Sequence, residues 1–120
     1  MGNIEANRQL EERTLAFAAK VVQFVASFAR NETALVTGRQ LLKSGTSIGA
    51  NYREANRAES RDDFVHKTAL VVKEASETDY WLELCTHVNL GDAPQRTALS
   101  QEARELLALF TTINRKAKSR

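Results

Sequence analysis

Apolar residues recur along this chain at alternating spacings of three and four, the pattern of helices buried along one face. Leu10, Thr14, Phe17, Val21, Phe24 and Phe28 set the first stripe, and Ala18, Val22 and Val25 widen it. That spacing predicts a first helix over about 4–29. Arg30-Asn31-Glu32-Thr33 breaks it with capping residues, and a second helix follows over about 33–58. Ser60 and Asp63 form a capping box for a third, over about 61–88, with acidic charge in its first turn. Asn89-Leu-Gly-Asp-Ala-Pro94 is the clearest stop: Gly91 suits a left-handed cap and Pro94 a first turn. A fourth helix over about 93–117 carries Leu99, Ala103, Leu106, Leu107, Phe110 and Ile113, and the tail Arg115-Lys-Ala-Lys-Ser-Arg120 reads as frayed. Four amphipathic helices with short joints predict an all-α, antiparallel up-down-up-down four-helix bundle.

Helix two departs from the ordinary pattern. Gly45 and Gly49 lie one turn apart inside it, among Ser44, Thr46 and Ser47. Each glycine costs a helix about 1 kcal/mol relative to alanine, so the pair implies that another helix comes unusually close. On a wheel of about 100° per residue, Leu41, Leu42, Gly45, Ile48, Gly49, Tyr52 and Ala55 share one side. Arg39, Lys43, Arg53 and Arg57 share the other, within an arc of about 80°. Such a ridge is either a solvated face or a strip for phosphates, and the basic tail with Arg115 and Lys116 adds to the second possibility. It has no interleaved aromatics, so binding there is expected to be led by the nucleic-acid backbone and to be salt-dependent.

Helix three predicts two faces. Phe64, Thr68, Val71, Ala75, Thr78 and Leu82 form a narrow seam containing small residues, which match those of helix two. A quarter turn or more away lie Asp63, Lys67, Leu70, Glu74, Glu77, Trp81, Leu84 and Val88. An aromatic anchor among charges on a second face suits subunit or partner contacts. Lys67, Glu74 and Glu77 read more simply as an ion-pair set within the helix or between subunits.

Composition narrows the functional classes. One hundred and twenty residues, 42% hydrophobic and 27% charged, suit a single soluble domain. No run of about 20 apolar residues is available to span a bilayer. A secretory signal and a myristoylation pattern are both absent from the start, and a lone Cys85 fits a reducing cytoplasm. The net charge of +2, with a pI near 8.9, does not by itself indicate nucleic acid. No Glu-x-x-His motif supports a di-iron site, and the Gly45–Gly49 spacing is wrong for a phosphate loop. Cys85 has no histidine three or four residues away and reads as a buried structural thiol. No enzyme, cofactor, metal site or small-molecule substrate is therefore expected.

Three strings together carry a resemblance. Gln40-Leu-Leu-Lys-Ser-Gly-Thr-Ser-Ile-Gly-Ala-Asn-Tyr-Arg-Glu-Ala55, then Ser60-x-x-Asp63-Phe64, then Lys73-Glu-Ala-Ser-Glu-Thr-Asp-Tyr-Trp-Leu82 resemble the 23S rRNA-intervening-sequence protein family. The likeness is dense from Gln40 to Leu84 and weak beyond. It implies a bacterial, non-enzymatic bundle assembling as a ring-like homopentamer, similar in fold to the accessory protein of diversity-generating retroelements. Asn51, Glu54, Ser60, Asp63, Lys73, Glu74, Glu77 and Trp81 fall on its motif positions, with no catalytic role attached to them. The expected function is an oligomeric bundle that binds RNA or a ribonucleoprotein partner through Arg39, Lys43, Arg53, Arg57, Arg115 and Lys116. Asn51, Glu54, Lys67, Glu74, Glu77 and Trp81 are the expected interface set. The alternative is a protein-interaction scaffold that uses the Trp81 face and has no nucleic-acid role.

Overall fold

A computed structural model describes residues 3–119, and these form four helices: α1 (Ile4–Ala26), α2 (Glu32–Ala55), α3 (Arg61–His87) and α4 (Ala93–Lys118). They build an elongated bundle of 46 × 22 × 19 Å. Each start is fixed by a side chain that accepts orphan amides. Asn3 Oδ1 accepts from Glu5 and Ala6, Asn31 from Ala34, Ser60 from Asp63, and Asp92 from Gln95. Asp63 also returns a bond, accepting from the Glu59 amide at 3.3 Å. That amide lies one residue before the cap, so the capping box forms in a slightly extended version.

Contacts between helices fix their directions. Gly38, Gly45 and Gly49 of α2 meet Val25, Val21 and Thr14 of α1 in reverse order, so the two run antiparallel. Asn114 and Arg104 of α4 reach Val65 and Asp79 of α3, and Arg96 reaches Asn89 just past its end, again in reverse order. Packing is most extensive between α2 and α3 and slightest between α1 and α4. The core is one cluster containing Phe17, Phe24, Leu41, Ile48, Val71, Leu82, Leu106 and Phe110.

Three helix ends differ from those the spacing predicts. α1 stops at Ala26 because the Ser27 amide and hydroxyl both turn back to the Phe24 carbonyl, at 3.2 and 2.7 Å. α2 stops at Ala55: the Arg57 and Ala58 amides bond carbonyls three residues back, and Asn56 reaches across to Glu11. Arg57 thus lies in a tightened turn beyond the helix. α4, by contrast, continues through Lys118, so the tail is not frayed up to that point. Arg61 at the start of α3 donates to the carbonyls of Ala117 and Lys118 at 2.9 and 3.2 Å, supplying what a free helix end lacks. Arg120, the last residue of the expected tail, lies outside the described residues. The stop expected over Asn89–Pro94 forms, but the left-handed residue that closes α3 is Asn89, at φ 54°, with the Leu90 amide returning to the Cys85 carbonyl at 2.8 Å. Gly91, at φ +82°, follows in the turn, and Asp92 caps α4.

One residue of the expected core stripe is displaced. Val22 was expected to widen the buried face of α1, yet it is 47% exposed. It falls one step around the helix from buried Val21, on the edge facing away from α4.

Candidate nucleic-acid interface

The site begins with the way α2 is held. Built onto Gly45, a methyl would lie 3.1 Å from both Val21 methyl carbons, and on Gly49 it would lie 2.9 Å from Thr14 Oγ1. The close approach implied by the two glycines is therefore made by α1. With α1 on one flank and α3 on the other, α2 has a single face left for solvent. That face carries Arg39, Lys43 and Arg53, with Arg57 just past its end, and all four are exposed. Thr46 and Ala50 separate the two pairs. Thr46 Oγ1 already donates to the Leu42 carbonyl at 2.6 Å, so the stretch between the cations is chemically quiet.

Pairing separates these cations from Arg13 and Arg96, though not from Lys20, Arg30 and Lys73, which are also exposed and outside the ion pairs among the described residues. Arg13 is held bidentately by Glu102, at 2.8 and 2.6 Å, with Glu105 at 3.2 Å. Arg96 is buried and donates to the carbonyls of Leu90 and Gly91 and to Asn89 Oδ1. Among the described residues, Arg39, Lys43 and Arg57 make no ion pair within 4 Å, and Arg53 makes only a long one, 3.7 Å from Glu11. Arg115 and Lys116 are likewise exposed and unpaired among these residues. The Arg61 bonds bring the end of α4 to the start of α3, and hence to the end of the bundle that holds Arg57. The structure thus gathers Arg53, Arg57, Arg115 and Lys116 toward one end and leaves Arg39 and Lys43 toward the other.

The expected interface set lies along the outer edge where α2 meets α3. Asn51, Glu74 and Trp81 are half-buried, and Glu54 and Glu77 are exposed. Trp81 packs against the core and meets Tyr80 edge-on at 5.0 Å between ring centres, leaving Tyr80 as the exposed member at 59%. Within one chain, the expected ion-pair set does not form among the described residues. Lys67 pairs with Asp63, 3.1 Å away and four residues back, and the Glu74–Glu77 pair remains like-charged. Burial, reinforced by the Glu77 charge, pushes the Glu74 carboxyl above its ordinary range, although Lys73 and Lys43 oppose the shift.

Some features that the sequence reading passed over carry weight in the structure. Asn114 is buried on α4 and donates to the Val65 carbonyl and Thr68 Oγ1 at 2.9 and 2.8 Å. Leu15 and Val22 are exposed at 57% and 47% and form an apolar strip on α1, while Leu35, 50% exposed, lines a separate groove near the start of α2. A shallow groove of about 460 Å³ lies in this strip, between Leu15 and Val22 on α1 and Gly49, Ala50 and Arg53 on α2. A larger groove of about 710 Å³ separates α1 from α4, floored by Phe17 and Leu99. Cys85 is fully buried, and burial pushes its thiol up in pKa, as suits a packing residue. His66 and His87 are exposed on α3. No group of three or more His, Cys, Asp or Glu converges for a metal among the described residues. No helix among them is long and apolar enough to cross a membrane.

Residues 7–112 match the family described as 23S rRNA-intervening sequence protein. The chain belongs to that family. A solved structure of a protein with unknown function from the S23 ribosomal protein family of Bacteroides thetaiotaomicron is similar at 35% identity and a TM-score of 0.82. The likeness covers 91% of this chain and 97% of that one. No curated protein matches the chain. The four-helix architecture of this 23S rRNA-intervening sequence family member is thus shared with a solved relative along nearly its whole length.

Proposed function

We propose that this protein is a non-enzymatic, self-associating bundle of the cytoplasm that binds RNA, free or within a ribonucleoprotein, through the outward face of α2. One observation carries the reading: Arg39, Lys43 and Arg53 on the outward face of α2, with Arg57 just past its end, are exposed and almost unpaired, while Arg13, Arg61 and Arg96 have partners within the fold. An unpaired guanidinium is weakly hydrated and matches phosphate oxygens in a planar, two-pronged geometry. Arg115 and Lys116 extend the same field. Membership of a family named for sequences within 23S rRNA supports RNA as the polyanion.

Self-association is supported by the apolar strip of Leu15 and Val22. Isolated exposed apolar residues are ordinary, whereas a contiguous strip beside grooves marks an interaction surface. Small residues in its floor (Ala18, Ala19, Gly49 and Ala50) let a second copy approach closely. The family resemblance implies five copies. The scaffold reading through Trp81 has less support, because that indole packs onto its own core and Tyr80 takes the exposed position.

The test is titration of nuclease-treated protein with structured RNA at two salt concentrations, with solution mass measured in parallel. We expect binding that weakens steeply with salt, by a mass larger than one chain. Absence of binding at low salt, or binding indifferent to salt, removes the α2 face as the site.

A further inference from the structure

The α2 cations stand in two pairs, and the spacing between the pairs bears on the form of RNA they fit. Arg39 and Lys43 lie one helical turn apart, Arg53 lies on the last turn of α2 with Arg57 in the tightened turn just past it, and the two pairs stand about 20 Å from each other at 1.5 Å per residue along the helix. Nothing charged lies between them on this face, and the hydroxyl of Thr46 is already bonded to Leu42. The spacing is rigid, because glycine contacts lock α2 to α1 and its most extensive packing is with α3.

Single-stranded RNA is ordinarily held by aromatic platforms as well as charge, since stacking offsets the cost of straightening a flexible chain. This face has none. Tyr52, the aromatic of α2, is 3% exposed and directed at Phe110, and Trp81 is turned onto the core. Tyr80 is exposed, but about 100° per residue places it on the outward side of α3, well around from the edge where Glu74 meets Lys43. A double helix needs no such help. It is already stiff, presents phosphates at fixed separations, and is recognised by shape and backbone rather than by base edges.

We infer that the α2 face takes double-helical RNA, engaged by its phosphates at two points, in preference to single strands. This rests on the RNA reading above. The experiment is fluorescence anisotropy with the intact protein, using an RNA duplex of about 20 base pairs and an unstructured strand of equal length, at about 50 and 200 mM salt. Two paired variants accompany it, R39Q/K43Q and R53Q/R57Q, all at exposed positions and checked for helicity. The duplex is expected to bind at least about tenfold tighter than the strand. Each paired variant is expected to weaken duplex binding, and to reduce the slope of log affinity against log salt by about 1.8, or about 0.9 per lost contact. A strand bound as tightly as the duplex overturns the preference and leaves the RNA reading standing. If neither RNA binds at low salt, or if the duplex binds both variants as well as the parent, the preference and the RNA reading fall together.

Discussion

Gly49 faces Thr14, a residue that cannot yield. Thr14 is fully buried, and its hydroxyl donates to the carbonyls of Leu10 and Glu11, both at 3.0 Å. An added methyl at Gly49 would sit 2.9 Å from that oxygen and 3.4 Å from the Thr14 carbonyl carbon. Overpacking of this kind costs about 1–3 kcal/mol, against about 1 kcal/mol gained by replacing a helical glycine with alanine. Gly49→Ala is therefore expected to lose about 1 kcal/mol, and at most about 2, in denaturant unfolding. At Gly45 the neighbours are the Val21 methyls at 3.1 Å, which need to move only slightly. Gly45→Ala is expected to be nearly neutral, and a larger loss there than at Gly49 would contradict this ranking. The glycines were legible in sequence because each is a helix-weakening choice that demands a reason. Their partner was not legible, since small residues on α3 offered an equally good match and only the tertiary arrangement selects α1. Glu74 belongs to the same scale. Its carboxyl is raised in the folded state, so the native protein holds its proton more tightly than the unfolded chain does. Its effect is therefore absent at low pH and becomes destabilising as pH rises through the carboxylate range. Glu74→Gln is expected to raise the melting temperature at pH 7 and to lose that advantage below about pH 4. An advantage that grows on acidification would contradict the assignment.

At the scale of elements, the helix starts were readable because each depends on a local chemical device. Asn31, Ser60 and Asp92 cap through side chains placed next to the amides they serve. The ends were readable only where the sequence itself forces a stop, as over Asn89–Pro94, although Asn89 and not Gly91 takes the left-handed position that closes α3. At Ser27, Arg57 and Lys118 the ending depends on bonds that a periodicity count cannot see: a hydroxyl turning back, three-residue amide bonds, and an arginine from another helix. The α1–α4 seam was also hidden, because Arg13, Glu102 and Glu105 read as ordinary surface charges until the helices are brought together. This sparsely packed pair is held by a charged clasp over the floor of Phe17 and Leu99. Its side chains are about a third exposed, so solvent reduces its worth to about 0.5–1 kcal/mol despite the bidentate geometry. A double-mutant cycle of Arg13→Gln and Glu102→Gln should return a coupling of that size, shrinking in high salt. A coupling near zero would mean that the seam is held by its apolar floor alone.

For the whole molecule, a net charge of +2 conceals how the cations are deployed. Some are bonded within the fold, and the rest include an outward row on α2 and a group at one end. An apolar strip on α1 runs beside that row, with Arg53 lining the same groove as Leu15 and Val22. Val22 reads in sequence as core because its spacing matches the buried stripe; the structure places it one step outside. If the strip is where copies of the chain meet, a charge placed there should separate them without unfolding any one of them, since the site is already solvated in the single chain. Leu15→Glu and Val22→Glu are expected to give monomers by sedimentation, with helicity and melting little changed. RNA affinity should fall in parallel, by more than a glutamate in the groove beside Arg53 costs through its charge alone, because several α2 faces held together bind one RNA more tightly than the same faces apart. Monomers that bind RNA as well as the parent would separate the two properties and make one α2 face sufficient. An unchanged mass in both variants would place the meeting surface elsewhere.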